Sequence, residues 1–313
     1  MNVVFDAHSD LPTYVYYSRI SGKTKVLEEN FEKFFGGHIG ARVMAIWTVE
    51  EKRPTALRYG LEALNQLYRD VAESKRFTIV TSVKDMEKAR KDGKVALWLG
   101  LEGGEPLEDS LDLFEVFYRL GVRVLTLTWN LRNSIGDGVL ERTNGGLTNF
   151  GIEVLKKAEE FGIVVDVSHL NEAGFWDVIE NATAPIIASH SNAYALCDNP
   201  RNLKDEQIKA IAEKDGVIGV NVIPRFVDKK KPTLDRMIDH IEYIVNLAGY
   251  RHVGLGFDFV YYLPEGEKKI LKGLENETKI PALLEKLKET FSEKEVKAIT
   301  FENFKRVFEK VVG

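Results

Sequence analysis

The stretch Val3-Val4-Phe5-Asp6-Ala7-His8-Ser9-Asp10-Leu11-Pro12 begins as an apolar run and ends in polar residues. Its β-branched and aromatic start predicts a buried strand, and the proline marks a point beyond the end of that strand. Alternate side chains of a strand share a face, so we expect Asp6, His8 and Asp10 to project together. A histidine and a carboxylate two residues apart at a strand exit could form half of a divalent-metal site.

An isolated His-x-Asp pair would be read more simply as a turn followed by a helix cap. Here the pattern recurs, because several apolar runs along the chain lead directly into histidine, glutamate or aspartate. The polar residues that end these runs are His8, Asp10, Glu102, His169, His190 and Asp258. The recurrence favours a shared site over a series of unrelated turns.

Predicted strands and helices alternate along the whole chain, which is typical of a parallel sheet covered by helices. We therefore predict an α/β fold, a (β/α)8 TIM-like barrel, as one catalytic domain over residues 1–313. About nine strand-like runs are present where a closed barrel needs eight. Either Phe77–Thr81 or Ala41–Val49 is expected to be irregular or to lie outside the barrel.

Three further expectations concern particular segments. Residues 13–35 are expected to be irregular before a helix around Leu27–Phe35. Residues Trp129–Thr148, rich in Asn, Gly and Arg, are typical of a long functional loop. Trp47 and Trp98 are expected in the core.

Composition narrows the function classes. The 313 residues carry a formal net charge of −5 with the two signs interspersed, so nothing favours nucleic-acid binding. The single cysteine, Cys197, excludes an internal disulfide framework. No apolar run approaches the roughly 20 residues of a membrane span, and the first residues read as a core strand and not as a signal peptide. We expect a soluble cytoplasmic protein without a membrane partner.

In such a barrel, functional groups stand at the carboxyl ends of the strands. His38 and His252 precede strands and His240 lies within a helix, so these three histidines are expected to be structural. The six strand-end residues would be costly to bury together without a cation. Imidazole and carboxylate without thiolate favour zinc, with manganese or cobalt as alternatives.

Six groups exceed the three protein ligands usual at one catalytic zinc, which suggests two metal ions bridged by a carboxylate. Such a pair would hold a hydroxide and polarise a carbonyl, and the reaction class would be hydrolysis of an amide or ester.

At these residues the chain resembles the membrane (renal) dipeptidases, peptidase family M19, among the metal-dependent hydrolase barrels. The resemblance covers nearly the whole chain and follows bacterial or archaeal members. Its motifs are Asp6-Ala7-His8-Ser9-Asp10-Leu11-Pro12, Leu101-Glu102-Gly103-Gly104, Asp166-Val167-Ser168-His169, Ser189-His190-Ser191-Asn192-Ala193-Tyr194, Pro200-Arg201-Asn202-Leu203, Gly256-Phe257-Asp258-Phe259 and Asn303-Phe304-Lys305-Arg306-Val307.

The resemblance implies a role for each ligand. His8 and Asp10 would bind one zinc, His169 and His190 the other, and Glu102 would bridge the two. The same resemblance is compatible with a homodimer, although the sequence marks no interface.

The remaining implied roles concern the substrate. Asp258 would hold the bridging water and pass its proton to the leaving amine. Arg201 would bind the C-terminal carboxylate of a dipeptide with its guanidinium fork. From the residues alone, Arg201 reads equally well as a surface arginine after a proline turn.

Two positions depart from the family pattern. Trp129 stands where mammalian members have a histidine that helps to hold the substrate carbonyl, so Asn130, Arg132 or Asn133 could supply a donor, or the metal alone could act. Val260 replaces a frequent aspartate and could reshape the pocket.

Asp166 lies one residue out of phase with the face of His169. Two roles are therefore open for it: a hydrogen-bond partner of a metal ligand, or a packed polar residue.

The leading prediction is therefore a zinc-dependent dipeptidase that uses a metal-bridging hydroxide and could accept a D-residue at the C-terminal position. Trp129 motivates an alternative, a metal-dependent amidohydrolase acting on a non-peptide amide or lactone. A third hypothesis is a non-catalytic binding protein on the same barrel, and the intact ligand set disfavours it.

Overall fold

The computed structural model describes residues 4–264, 266 and 270–313. Val3 of the first predicted strand and residues 265 and 267–269 of the predicted loop 259–279 lie outside the described residues. The strands are β1 (Val4–Asp6), β2 (Ile39–Trp47), β3 (Phe77–Val80), β4 (Val95–Glu102), β5 (Val122–Thr126), β6 (Val164–Asp166), β7 (Ile187–Ala188), β8 (Val217–Val220) and β9 (Val253–Leu255).

Eight of these strands close into a parallel barrel. β1 pairs with β2 on one side and β9 on the other, β2 pairs with β4, and β4 to β9 follow in sequence order. β3 pairs only with the first half of β4 and lies outside the ring. The predicted (β/α)8 barrel is confirmed, and the supernumerary strand is the run that begins at Phe77.

Helices cover the barrel and several begin at side-chain caps. Ser82, Thr148 and Asn171 each accept a hydrogen bond from a backbone N–H in the first turn that follows. The α-helices are α1 (Leu11–Ile20), α2 (Val26–Glu29), α3 (Phe31–Phe35), α4 (Ala56–Ala72), α5 (Val83–Lys91), α6 (Leu111–Arg119), α7 (Asn149–Phe161), α8 (Glu172–Asn181), α9 (Asp205–Glu213), α10 (Pro224–Val227), α11 (Leu234–Ala248), α12 (Ile280–Thr290), α13 (Glu293–Lys297) and α14 (Asn303–Val311).

Short 3₁₀ turns lie at Glu50–Thr55, Glu105–Leu107, Tyr250–His252 and Glu277–Lys279, and a π-helical turn at Ala298–Glu302 precedes α14. No helix among the described residues is both long and apolar enough to cross a bilayer.

Aromatic side chains from the last helix fill the barrel below its polar end. The Phe5 ring lies 5.7 Å from the Phe304 ring and 5.0 Å from the Phe308 ring, and Trp98 lies 4.8 Å from Phe308. A side chain at Gly254 of β9 would collide with the Phe304 ring. Trp98 is fully buried, as predicted.

One local prediction was wrong, and another was confirmed only in part. Residues 13–20 are not irregular, because α1 begins at Leu11 and Pro12 occupies its first turn, where a missing N–H costs nothing. Trp47, predicted in the core, is half-buried: it packs against the core and also lines a pocket at the barrel mouth. The predicted long loop is present, because the described structure has no helix or strand from Leu127 to Thr148.

Candidate active site

The six predicted strand-end residues meet at the carboxyl ends of the barrel strands. Ligand atoms of His8, Glu102 and His190 lie within 4.8 Å of one another, and so do those of His8, Asp10 and Asp258. His169 joins the cluster, with its Nε2 2.8 Å from Nε2 of His190. The sequence therefore identified side chains that the fold brings together.

Glu102 lies at the centre of the cluster, and its two oxygens face different histidines. Oε2 lies 3.6 Å from Nε2 of His8. Oε1 lies 2.9 Å from Nε2 of His169 and 3.6 Å from Nε2 of His190. Burial raises the pKa of Glu102 to about 7, with the nearby Asp10 carboxylate adding to the effect.

The orientation of His190 is set by its neighbour Ser189. The hydroxyl of Ser189 donates to Oδ2 of Asp166 at 2.6 Å and lies 2.7 Å from Nδ1 of His190. Because that hydroxyl proton is used by Asp166, the serine oxygen accepts from Nδ1–H of His190. Nε2 of His190 is then left with a lone pair directed into the cluster.

A hydrogen bond to Asn130 fixes the orientation of His169 in a similar way. Oδ1 of Asn130 lies 2.8 Å from Nδ1 of His169, so it accepts the Nδ1 proton and leaves Nε2 as a lone pair. Burial lowers the pKa values of both His169 and His190 well below the usual range, with the charges of Arg201 and His8 contributing, so both rings are neutral. Neutral imidazole is the form that binds metal.

These donors fit a divalent cation. Nε2 of His8 and Oδ1 of Asp10 are buried without a hydrogen-bond partner, and the two atoms lie 3.8 Å apart. Two lone pairs of His169 and His190 face each other. Ligand atoms around a zinc ion are separated by about 3–4 Å, given metal–ligand bonds of about 2.0–2.2 Å. A cation would satisfy groups that the protein alone leaves unpaired.

The cluster opens into a pocket of about 470 Å³. Asp258 lines this pocket, and burial raises its pKa well above the usual range, with Asp10 and Glu102 adding to the shift and His8 opposing it. Asp258 and His169 both have left-handed backbone conformations, with φ of 56° and 67°. Such conformations cost about 1–3 kcal/mol each and are typical of functional sites.

Arg201 lies behind the wall of this pocket. Its Nη2 donates to the carbonyl of His190 at 3.1 Å, and its guanidinium lies 5.6 Å from the ring of Phe226, which lines the pocket. Arg201 itself lines an adjoining cavity of about 380 Å³, and His169 borders both spaces. Burial lowers the pKa of Arg201 to about 10, and its Nε has no hydrogen-bond partner.

Trp129 forms an aromatic wall of the pocket. Its ring lies 5.2 Å from that of Trp47 and 6.1 Å from that of His169. Of the three donors considered for this region, only Asn130 lines the pocket. Arg132 pairs with Asp137, and Asn133 accepts from Ile135 N within the loop.

Asp6 does not share the face of His8 and Asp10. β1 ends at Asp6, so the alternation of side chains does not continue to the later residues. Asp6 instead receives a hydrogen bond from Arg42 at 2.8 Å and one from the backbone N–H of Phe257 at 2.9 Å. Arg42 also donates to Glu277 at 3.0 Å, and all three charged groups are fully buried.

The structure identifies supporting residues that the sequence left open or missed. Asp166 is a partner of the ligand region, since it also accepts from the backbone N–H groups of Ser168 and Ser189. Ser189 carried a signal in its position directly before a strand-end histidine. His240 and His252, predicted to be structural, bond to the backbone carbonyls of Val227 and Gly216.

A parallel barrel with imidazoles and carboxylates at the carboxyl ends of its strands defines a class, the metal-dependent hydrolase barrels. Comparison with known proteins assigns the family within that class. The family described as membrane dipeptidase, peptidase family M19, matches residues 1–312. The chain belongs to this family of metallopeptidases.

Individual relatives agree with that assignment. An uncharacterized dipeptidase of Schizosaccharomyces pombe is 32% identical over 314 residues, covering 91% of this chain and 74% of that protein. The solved structure of dipeptidase AC, a metallopeptidase of family M19, has a TM-score of 0.88 at 25% identity and covers 100% of both chains. A Rhodobacter sphaeroides metallopeptidase, solved with a phosphinate mimic of L-Ala-D-Ala, shares the fold with a TM-score of 0.87 at 24% identity, over 98% of this chain and 99% of that one.

Proposed function

We propose that this protein hydrolyses dipeptides with two divalent metal ions bound at the cluster. His8 and Asp10 would hold one ion, His169 and His190 the other, and Glu102 both. The placement of Glu102 carries the proposal, because Oε2 faces His8 at 3.6 Å while Oε1 faces His169 at 2.9 Å. A carboxylate with histidines at each oxygen suits a bridging ligand.

The donor set favours zinc, since it contains imidazole and carboxylate and the one cysteine of the chain lies elsewhere. When bound, the metal pair acidifies a water molecule and polarises the scissile carbonyl. The protein holds the imidazoles in the binding tautomer through Asn130 and Ser189, as the hydrogen bonds to Nδ1 of each ring indicate.

Asp258 would manage the proton. Its carboxylate lies within 4.8 Å of ligand atoms of His8 and Asp10 and borders the pocket. It would accept a proton from the attacking water and deliver it to the amine nitrogen of the leaving residue. The raised pKa of Asp258 supports this role, because a carboxyl group must hold the proton before releasing it.

Substrate binding would involve Arg201, Trp129 and Asn130. Arg201 would attract the C-terminal carboxylate, Trp129 would pack against the substrate, and the amide NH₂ of Asn130 would be left to donate towards the scissile carbonyl, because its oxygen is engaged by His169. The proposal includes acceptance of a D-residue at the C-terminal position.

The test combines metal analysis with a dipeptide panel. The panel holds L,L and L,D pairs of alanine and a C-terminally amidated control. About two zinc ions per chain, hydrolysis of the free dipeptides and loss of activity on amidation are expected. Zinc-loaded protein that hydrolyses no dipeptide would refute the proposal.

Trp129 favours one alternative, a metal-dependent amidohydrolase acting on a non-peptide amide or lactone. Such an enzyme does not need a group for a C-terminal carboxylate. An Arg201→Ala variant with full activity on its best substrate would favour this alternative, whereas a dipeptidase should lose affinity.

A further inference from the structure

The pocket contains one cationic residue that the proposed chemistry does not use. Among the charged residues lining it, Asp10, Glu102 and Asp258 belong to the metal cluster, which leaves Glu51 and Arg225. Arg225 lies in α10, the short helix after β8, which with the preceding Ile223 also provides Phe226 to the pocket wall. Its side chain is exposed and forms no ion pair with any carboxylate of the described residues.

Arg225 lines the pocket and Arg201 lies behind its wall, and both guanidinium groups lie close to Phe226. The Arg225 guanidinium lies 4.8 Å from the centre of the Phe226 ring, and that of Arg201 lies 5.6 Å from the same ring. Arg225 also contributes, after burial, to the lowered pKa of Arg201, so the two positive charges act on each other. Two like charges close to one pocket are favourable when the ligand brings negative charge to both.

The backbone around both arginines is fixed by side-chain amides. Nδ2 of Asn199 donates to the carbonyl of Arg225 at 3.4 Å, and Oδ1 of Asn199 accepts from the N–H of Arg201 at 3.0 Å. Nδ2 of Asn202 donates to the carbonyl of Phe226 at 2.8 Å. The fold therefore fixes the two backbone segments that carry the arginines, and the exposed side chain of Arg225 extends from one of them.

We propose that Arg225 binds the side-chain carboxylate of an acidic C-terminal residue, so that the enzyme prefers dipeptides ending in aspartate or glutamate. This inference rests on the proposed function, in which Arg201 takes the α-carboxylate. The C-terminal residue would then lie against the wall formed by Phe226. Its side-chain carboxylate would meet Arg225 at the mouth of the pocket.

Glu51 lies on the other side of this arrangement. It follows β2, and β2 and β8 are separated around the ring by β1 and β9. A dipeptide with its C-terminal residue near Arg225 would direct its N-terminal residue towards Glu51. The acidic preference is therefore assigned to the C-terminal residue and not to the N-terminal one.

The test compares Ala-Asp with Ala-Asn, which match in shape and differ in one charge, each with the L and the D form of the second residue. For the wild-type enzyme, kcat/KM for Ala-Asp should exceed that for Ala-Asn by about tenfold, the value of one charge-assisted hydrogen bond. In Arg225→Gln the ratio should fall towards one. Arg225→Lys should restore part of it.

Arg142→Gln is the matched control, because Arg142 is an exposed arginine lining the adjoining cavity. It should leave the Asp/Asn ratio unchanged. High salt should reduce the wild-type ratio, since exposed charges are screened at about 1 M ionic strength.

The possible results distinguish between the inference about Arg225 and the proposed dipeptidase function. Wild-type turnover of Ala-Ala with an Asp/Asn ratio near one would overturn the inference and leave the dipeptidase proposal intact. An equal loss on Ala-Ala, Ala-Asp and Ala-Asn in Arg225→Gln would show that Arg225 binds the α-carboxylate, which also overturns the inference. No turnover of any dipeptide would refute the proposed function itself.

Discussion

The amide oxygen of Asn130 lies 2.8 Å from Nδ1 of His169, so a residue considered for substrate binding also fixes the tautomer of a candidate ligand. Asn130 follows the strand β5, whereas His169 follows its neighbour β6. The contact therefore depends on the register between two strands, and it connects the pocket wall to the metal cluster.

Replacing Asn130 with alanine should weaken metal binding by about 10–100-fold, because the Nδ1 proton of His169 would lose its acceptor. Competition with a chromophoric chelator measures the affinity. Asn181→Ala, at an exposed helix end, is the control and should leave it unchanged. Unaltered affinity in Asn130→Ala would mean that the contact does not orient the ring.

Asp258→Asn should reduce kcat by about 10²–10⁴-fold while the metal content per chain stays the same. The amide cannot carry the proton to the leaving amine, yet it preserves the size of the side chain. Metal analysis alongside steady-state kinetics tests both parts. Loss of one metal ion would instead make Asp258 a ligand, which its position near His8 and Asp10 also permits.

Arg42→Met should destabilise the fold by about 3–5 kcal/mol, because Asp6 and Glu277 would remain buried without their cation. Denaturant unfolding of the metal-free protein measures the change. Arg58→Met, which removes an exposed pair with Glu62 on one helix, should give no resolvable change. Equal effects of the two substitutions would contradict the importance of the buried network.

Glu277 should make stability depend on pH near neutrality. Burial raises its pKa from 4.5 to about 7, with Arg42 opposing the shift, so the folded state holds this proton more tightly than the unfolded state. The resulting stabilisation is complete below pH 4.5 and is lost as the pH rises through about 7.

The comparison is between wild-type protein and Glu277→Gln over that pH range. The free energy of unfolding of the wild type should fall relative to the variant as the pH increases. Difference curves from denaturant titrations at several pH values would show it. If the free energy of unfolding of the wild type instead rose relative to that of Glu277→Gln as the pH increased, Glu277 would be ionised and stabilised in the folded protein.

Much of the fold could be predicted, because alternating apolar runs and helices specify a parallel barrel and place strand-end residues at one mouth. The cluster around Glu102 followed from this rule. The rule does not extend beyond a strand, so Asp6 was assigned to the wrong face once β1 ended. Trp47 packs against the core but also lines the pocket, and the sequence alone does not distinguish a core residue from a pocket wall at a strand end.

The supporting contacts were harder to predict for a related reason. Ser189 and Asp166 meet because β6 and β7 lie side by side, and a single sequence carries no information on that register. Arg225 lies in the four-residue helix α10, which is too short to show a periodic pattern in the sequence. Its position in the pocket depends on how Asn199 and Asn202 hold the neighbouring backbone.

The packing of Phe5 against Phe304 and Phe308 has a consequence for biosynthesis. Phe5 of β1 packs against Phe304 and Phe308 of α14. These contacts of β1 cannot form until α14 has left the ribosome. His8 and Asp10 continue directly from that strand, so their placement beside Glu102 is expected to depend on the same packing. A nascent chain that ends before α14 would therefore carry its ligands in sequence, and we expect the centre to assemble only once α14 is available.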